Sequence, residues 1–283
     1  MTSPIHFISG LPRSGSTLLS AILRQNPRFT AGVTSPLVSL LGAVQAKMSG
    51  GEFDSFFDER KRTNVLRGVF ESYYAGNMNV GHATAAPNIN SNQVVFDTNR
   101  VWTGRGAFLG QLYPQSKIIC CVREIGWIID SFEKMLAKNP LHLSRVFNFE
   151  PGSSVYGRVE TLMNSEQGLI GLPWITLREA WFSNSASRLI LIPYTSLTKH
   201  PEQTVTTLYS LLDEPLHEHN FNQVEYDEST YDEELGMPGL HAVKAKVAYQ
   251  ERQPCIPPDL FAKYANTQFW EKGELNTRGV VIL

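Results

Sequence analysis

The stretch HFISGLPRSGSTLLSAIL, residues 6–23, decides the fold of this chain. It opens with a short β-rich run that ends at Gly10, and it closes with leucine and isoleucine at helical spacing. Between them, GLPRSGST (10–17) has the G-x-x-x-x-G frame of a phosphate-binding loop, but Ser16 stands where such loops carry lysine. The stretch predicts a strand, an anion-binding loop and a helix, without the side chain that grips the β- and γ-phosphates of ATP.

Apolar runs that alternate with helical segments continue this pattern along the chain. Three more strands are predicted in VVFDTN (94–99), KIICCVRE (117–124) and RLILIPY (188–194). Helices are predicted at 36–48, 54–75, 102–112, 126–138 and 200–215. Such alternation is typical of an α/β three-layer sandwich around a mostly parallel sheet, here of about four to five strands and similar to P-loop NTPases. We expect one domain over residues 1–283, with a helical insertion at 139–187 and an irregular C-terminal cap at 213–283.

Composition excludes several classes of function. A net charge of -2 argues against a nucleic-acid-binding surface, which carries a basic excess. No apolar run approaches the roughly 20 residues that span a bilayer, and no secretory leader is visible, so the default location is cytoplasmic. Cys120 and Cys121 point to opposite faces of a strand and are expected to be small buried hydrophobes rather than metal ligands. The oligomeric state is left open.

Two local motifs carry the chemistry. Backbone N–H groups of residues 14–17, at the start of a helix, favour an anion, and Arg13 adds a fixed cation. Arg123 ends the third predicted strand, and Ser131 follows eight residues later on the next helix. Ligands of open α/β sheets bind at the carboxyl ends of the strands, so this pair could hold a second phosphate. The alternatives are an ordinary capped turn for the first motif and a surface salt bridge for the second.

Together these motifs resemble the sulfotransferases that depend on 3′-phosphoadenosine 5′-phosphosulfate (PAPS), with a first loop nearer to the tyrosylprotein branch than to the cytosolic small-molecule branch. The resemblance implies that a PRSGST loop grips the 5′-phosphosulfate, through Pro12, Arg13, Ser14, Gly15, Ser16 and Thr17. It implies that Arg123 and Ser131 hold the 3′-phosphate and that Tyr194 contacts the adenosine part. A late basic segment, LHAVKAKVAYQERQP (240–254), suggests Lys244 and Lys246 as further donor-binding residues.

The usual catalytic bases of the family are missing. Cytosolic relatives use a histidine after the second sheet strand, where this chain reads VVFDTNRVW, and the tyrosylprotein branch uses a glutamate where it reads TAGVTSP (30–36). Asp97 is the candidate substitute, with Asn99 and Arg100 orienting the reactants and Arg13 stabilising the leaving phosphate oxygen. The alternative is that Asp97 caps the next helix or pairs with Arg100. His82 is a more distant candidate.

The favoured function is transfer of a sulfuryl group from PAPS to a hydroxyl or phenol acceptor, small molecule or peptide, by in-line displacement without a metal. Adenosine 3′,5′-bisphosphate is then the product. The alternatives are a P-loop kinase or ATPase, in which Arg13 imitates lysine and Asp97 holds magnesium, and a nucleotide-binding module without catalysis. The acidic segment YDESTYDEE (226–234) is expected to be a solvated loop. Trp174, Trp181 and Phe182 are candidate walls of the acceptor pocket, with core packing as the alternative.

Overall fold

A single sheet of six strands forms the centre of the molecule, in the computed structural model that describes residues 4–77, 93–138 and 152–283. Neighbouring strands pair in parallel, in the order β2-β3-β1-β4-β5-β6. The strands are β1 (Ile5–Gly10), β2 (Phe29–Ala31), β3 (Val94–Thr98), β4 (Ile118–Val122), β5 (Leu189–Pro193) and β6 (Val281–Ile282). The predicted α/β fold with a parallel sheet is confirmed.

The strand count differs from the four to five expected because both edge strands are very short. β2 has three residues and β6 has two, too few to show a period-2 pattern in the sequence. The second of them corrects the description of residues 213–283 as an irregular cap. This part of the chain returns to the sheet, where Val281 pairs with Ile190.

Helices cover the sheet and connect its strands. The described helices are α1 (Ser16–Leu23), α2 (Leu37–Met48), α3 (Glu59–Asn77), α4 (Gly106–Leu112), α5 (Ile125–Lys138), α6 (Val155–Met163), α7 (Gly171–Phe182), α8 (Tyr194–Lys199), α9 (Pro201–Leu212), α10 (Ser229–Glu234) and α11 (Pro258–Lys263). α6 and α7 lie in the predicted insertion, of which residues 152–187 are described. None of these helices is long and apolar enough to cross a membrane.

Two predicted helices begin as 3-10 turns. The segment predicted as 54–75 consists of a 3-10 turn over Gly51–Phe56 followed by α3, because the Asp58 carboxylate accepts the Lys61 backbone N–H and starts a new helix. The segment predicted as 102–112 likewise has a 3-10 turn, Arg100–Arg105, before α4. Helix α9 ends earlier than predicted, because Asp213 adopts a left-handed conformation there.

The strands send alternate side chains into two hydrophobic clusters on opposite faces of the sheet. Phe7 and Cys120 belong to one cluster, and Ile8 and Cys121 to the other, as period-2 alternation requires. Both thiols are fully buried, which confirms their prediction as small core residues. Trp181 is also buried, and its indole N–H donates to a backbone carbonyl, so core packing is its role.

Candidate functional site

A cavity of about 600 Å³ opens at the edge of the sheet where the central strands end. Nearly all of the residues predicted from the two motifs, the late basic segment and the end of β3 line it. They are Pro12, Arg13, Gly15, Ser16, Thr17, Asn99, Arg100, Arg123, Ser131, Tyr194, Lys244 and Lys246. Residues up to 234 positions apart in the sequence therefore share one concave surface. Those after β1, β3 and β4 meet because parallel strands present their carboxyl ends at the same edge, and the late basic segment reaches them through the hydrogen bond between Leu240 and Arg13.

The first loop owes its shape to two glycines. Gly10 has a φ of 98°, and a Cβ there would lie 2.3 Å from the carbonyl oxygen of Cys121, so no other residue fits. Gly15, with a φ of 100°, caps the start of α1. Ser14 departs from the predicted arrangement, because its side chain is fully buried and its hydroxyl donates to the Pro12 carbonyl. Only its backbone N–H can face a ligand.

Arg13 joins the two predicted motifs. Its Nε donates to the Ser131 hydroxyl at 3.1 Å, and its Nη1 donates to the carbonyl of Leu240 in the late basic segment. Burial, reinforced by the positive charge of Arg123, lowers the pKa of Arg13 to about 10. The guanidinium remains charged at neutral pH, and a bound anion would relieve the repulsion between the two arginines.

Arg123 lies over an aromatic ring at the end of β4. Its guanidinium carbon is 4.1 Å from the centroid of the Tyr194 ring, and its Nη1 donates to the Arg13 carbonyl at 3.4 Å. Burial lowers its pKa. The stacking holds the guanidinium in place while leaving its edge available for phosphate oxygens.

Charge is segregated at this cavity. Among the described residues that line it, no side chain is a carboxylate, although the whole chain carries a net charge of -2. Eight lining side chains are cationic: Arg13, Arg100, Arg123, Lys134, Lys138, Lys244, Lys246 and Arg252. A concave surface of one sign concentrates the field and favours a multiply charged anion.

Arg252 is a lining cation that the sequence reasoning did not nominate. It lies over the Trp127 ring at 5.0 Å, and its guanidinium pairs with the buried carboxylate of Asp130 on α5. The sequence predicts that the late basic segment binds the donor, but it suggests Lys244 and Lys246 and not this arginine. Of those lysines, Lys244 is exposed and donates to Gln250 at 2.6 Å.

Asp97 does not line the cavity. It is fully buried, and its two carboxylate oxygens accept hydrogen bonds from the Tyr74 hydroxyl at 2.6 Å and the Trp102 indole at 2.5 Å. Burial raises its pKa. The residue that caps the following turn is Asn99, whose side chain accepts the Val101 N–H. This placement favours a structural role for Asp97, and its role as a base stays a prediction.

A histidine and an aspartate that the sequence reasoning missed meet at the same cavity. Asp232 lies in the segment expected to be a solvated acidic loop, yet its side chain is 2% exposed. Its Oδ1 is 2.5 Å from Nδ1 of His241, and His241 lines the cavity. The acidic segment is thus corrected to a helix, α10, that buries one of its carboxylates. His82, the other histidine considered as a base, lies outside the described residues.

Comparisons of the sequence and of the fold with known proteins give consistent matches. The model of a family described as "Sulfotransferase family" matches residues 4–218. Protein-tyrosine sulfotransferase A of Caenorhabditis elegans is 27% identical over 125 residues, which cover 44% of this chain and 31% of that relative. The match thus spans about a third of the relative's length. A solved sulfotransferase domain from the curacin biosynthetic pathway superposes with a TM-score of 0.51 at 17% identity, covering 95% of this chain and 92% of that one, which shows a shared fold.

Proposed function

The chain belongs to the sulfotransferase family, and on that premise we propose that it transfers a sulfuryl group from PAPS to a hydroxyl or phenol acceptor. One observation carries the proposal: Arg13, Arg123 and Ser131 line the same cavity. Among the described residues, the lining of this cavity includes eight cationic side chains and no carboxylate. A donor with anionic groups at both the 5′ and 3′ positions needs a cationic binding group for each of them. Arg13 and Arg123 would supply one each.

Each part of the donor has a matching group. The backbone N–H groups at the start of α1, the Ser16 and Thr17 hydroxyls and Arg13 would hold the 5′-phosphosulfate. Arg123 and Ser131, whose hydroxyl also accepts a hydrogen bond from Arg13, would hold the 3′-phosphate, and the Tyr194 ring would offer an apolar face to the adenosine part. Arg252 adds a second cation close to Arg123. Burial lowers the pKa of Arg123, and repulsion by the charge of Arg252 lowers it further.

The chemistry is an in-line displacement at sulfur. The acceptor oxygen forms a bond to sulfur, the bond between sulfur and the 5′-phosphate oxygen breaks, and its electron pair remains on the phosphate. Arg13 would stabilise the charge that develops on that oxygen, and its half-buried guanidinium beside the loop supports this role. The preorganised cation costs no reorganisation during the reaction.

A kinase or ATPase would need a carboxylate to hold magnesium near the phosphates. Asp97, the residue considered for that role, has both oxygens engaged by Tyr74 and Trp102 and does not line the cavity. This arrangement supports sulfuryl transfer over phosphoryl transfer. The name of the Caenorhabditis elegans relative supports a phenol as acceptor, such as a tyrosine side chain. A cytoplasmic location and a single domain over residues 1–283 stay predictions from the sequence.

The proposal is tested by incubating the protein with PAPS labelled with 35S in the sulfuryl group and a panel of simple phenols, alcohols and tyrosine peptides. We expect labelled acceptor and an equal amount of adenosine 3′,5′-bisphosphate, with Arg13→Ala slower by about 10²–10³-fold. Arg24→Ala is the matched control, because Arg24 stacks on Tyr226 outside the cavity. Transfer of phosphate from magnesium-ATP to the same panel, with no transfer of label, would contradict the proposal.

A further inference from the structure

Asp232 holds His241 in one orientation at the wall of the cavity. Oδ1 of Asp232 lies 2.5 Å from the ring Nδ1 of His241, and Oδ2 accepts the backbone N–H of the same residue at 2.8 Å. Because a carboxylate accepts hydrogen bonds, the neutral ring carries its proton on Nδ1 and presents Nε2 as an acceptor. No hydrogen bond of the described residues engages that Nε2.

The chain places this imidazole beside the reacting end of the donor site. Leu240, the residue before His241, accepts a hydrogen bond through its carbonyl from Nη1 of Arg13. Arg13 is the cation proposed to stabilise the leaving phosphate oxygen. His241 therefore directly follows the residue whose carbonyl oxygen contacts this cation. Arg100 also lines the cavity and is close enough to His241 for its charge to affect the imidazole.

We propose that His241 is the general base of the reaction and that Asp232 is its positioning residue. The inference rests on the proposed sulfuryl transfer. Nε2 of His241 takes the proton of the acceptor hydroxyl as the acceptor oxygen bonds to sulfur, and the electron pair of the broken bond leaves on the 5′-phosphate oxygen. The imidazolium then returns its proton to water. No oxidant, reductant or further reactant is required.

Among the described residues, the loops that follow β2 and β3 bring no such proton acceptor to the cavity. Val33 and Thr34 line it where the loop after β2 passes, and Asn99 and Arg100 line it after β3. None of these four can accept a proton at neutral pH. A base delivered from the C-terminal part of the chain fills the role that both of these segments leave open.

The electrostatic surroundings keep His241 neutral at neutral pH. The groups that face it are Asp232 and Tyr231 from α10, whose tyrosine ring centroid is 5.6 Å from the imidazole, together with Arg13 and Arg100. Burial is the main cause that lowers the pKa of His241; the hydrogen bond to Asp232 opposes it and the two arginines reinforce it, so the pKa lies below the ordinary value for histidine. Activity should therefore be constant at neutral pH and fall as acidification through that pKa protonates the imidazole.

The test compares His241→Gln, His241→Ala and Asp232→Asn with the wild type, using the best acceptor of the phenol and alcohol panel. His219→Gln is the matched control, since His219 pairs with a tyrosine hydroxyl at 2.9 Å and does not line the cavity. Calorimetry with adenosine 3′,5′-bisphosphate first establishes that each variant is folded and binds the product. We expect affinities within about threefold of the wild type for all four variants, since none removes a cation of the donor site.

Turnover should then separate the variants. We expect kcat to fall about 10²–10⁴-fold in both His241 variants, and the decrease of kcat at acidic pH (the acid limb of the pH–rate profile) to disappear. Imidazole added to the assay should restore part of the rate of His241→Ala. The loss should be smaller for an acidic nitrophenol than for an aliphatic alcohol, because an acidic acceptor needs less help from a base. Asp232→Asn should lower kcat with little change in KM, and His219→Gln should match the wild type.

Two failures are distinguishable. Sulfuryl transfer by the wild type that is equally fast in His241→Gln, with an unchanged acid limb, overturns the assignment of the base and leaves the proposed function intact. Failure of the wild type to bind adenosine 3′,5′-bisphosphate or to transfer label to any acceptor overturns the proposed function, and this inference with it.

Discussion

Replacement of Arg123 by alanine should remove most of the preference of the cavity for a nucleotide with a 3′-phosphate. Arg123 is half-buried at the end of β4, and its guanidinium carbon is 4.1 Å from the Tyr194 ring centroid. Charge-assisted hydrogen bonds of this kind contribute about 1.5–3 kcal/mol, so adenosine 3′,5′-bisphosphate should bind about 10- to 150-fold more weakly. AMP lacks the 3′-phosphate and loses only the ring packing beside Tyr194, which predicts a change of about two- to fivefold.

The assay is isothermal titration calorimetry of both nucleotides against the wild type, Arg123→Ala and Arg178→Ala. Arg178 is a matched control, because its guanidinium lies over the Trp174 ring at 5.4 Å but does not line the cavity. The double difference between nucleotides and variants isolates the 3′-phosphate contact from any general loosening of the fold. An equal loss of affinity for AMP and for the bisphosphate in Arg123→Ala would refute the assignment of Arg123 to the 3′-phosphate.

Three further perturbations address the fold and the buried acids and bases. In urea unfolding, Gly10→Ala should lower the free energy of unfolding by about 2–6 kcal/mol. The new Cβ would lie 2.3 Å from the Cys121 carbonyl oxygen, and the backbone φ of 98° disfavours any residue with a side chain. Gly68→Ala, whose Cβ would have no atom within 4 Å, should raise the free energy of unfolding by about 0.5–1 kcal/mol. Asp97→Asn should destabilise by about 1–3 kcal/mol, since it leaves a buried donor unpaired, and should keep the transfer rate per folded molecule. Burial lowers the pKa of His6 from 6.5 to about 4, so the unfolded chain takes up this proton first as the pH falls. The free energy of unfolding should therefore drop by about 3 kcal/mol between pH 6.5 and pH 4. The drop should be smaller in His6→Asn.

Each of these has an outcome that would contradict its reasoning. Gly10→Ala as stable as Gly68→Ala would mean that the loop does not approach β4 as closely as described. Loss of transfer in a fully folded Asp97→Asn protein would restore Asp97 as the base. An identical fall in stability with acid for the wild type and His6→Asn would show that the buried imidazole of His6 does not control this pH dependence.

The central strands and the first two motifs were predictable because their signals are local. β4 and β5 are continuous apolar runs of five residues, and β1 and β3 are runs of six and five residues rich in isoleucine, valine and phenylalanine, so each can be recognised without knowledge of its neighbours. Arg123 directly follows β4, and Arg13 lies three residues after the end of β1, so their meeting at one edge of the sheet follows from the parallel pairing of these strands. The short edge strands β2 and β6 exist through pairing with longer neighbours and have no comparable pattern.

The pair of Asp232 and His241 was hidden because its two residues belong to segments without periodicity. An acidic run predicts solvation on average, and nothing in YDESTYDEE distinguishes the one carboxylate that turns inward. The position of Asp97 illustrates the opposite limit. Its place near the end of β3 was foreseen, but the Tyr74 hydroxyl that engages it comes from α3, a distant helix, and such a contact depends on packing.

The most direct test of the central claim is the ranking of nucleotides by wild-type affinity in the presence of a chelator of divalent cations. If Arg13 binds the 5′-phosphate and Arg123 the 3′-phosphate, adenosine 3′,5′-bisphosphate should bind at least about tenfold more tightly than AMP or ADP. Of the three nucleotides, only the bisphosphate has a phosphate for each of these arginines. Equal affinity for the three nucleotides, or a preference for ADP that appears on adding magnesium, would contradict a cavity built for a 3′-phosphorylated sulfuryl donor.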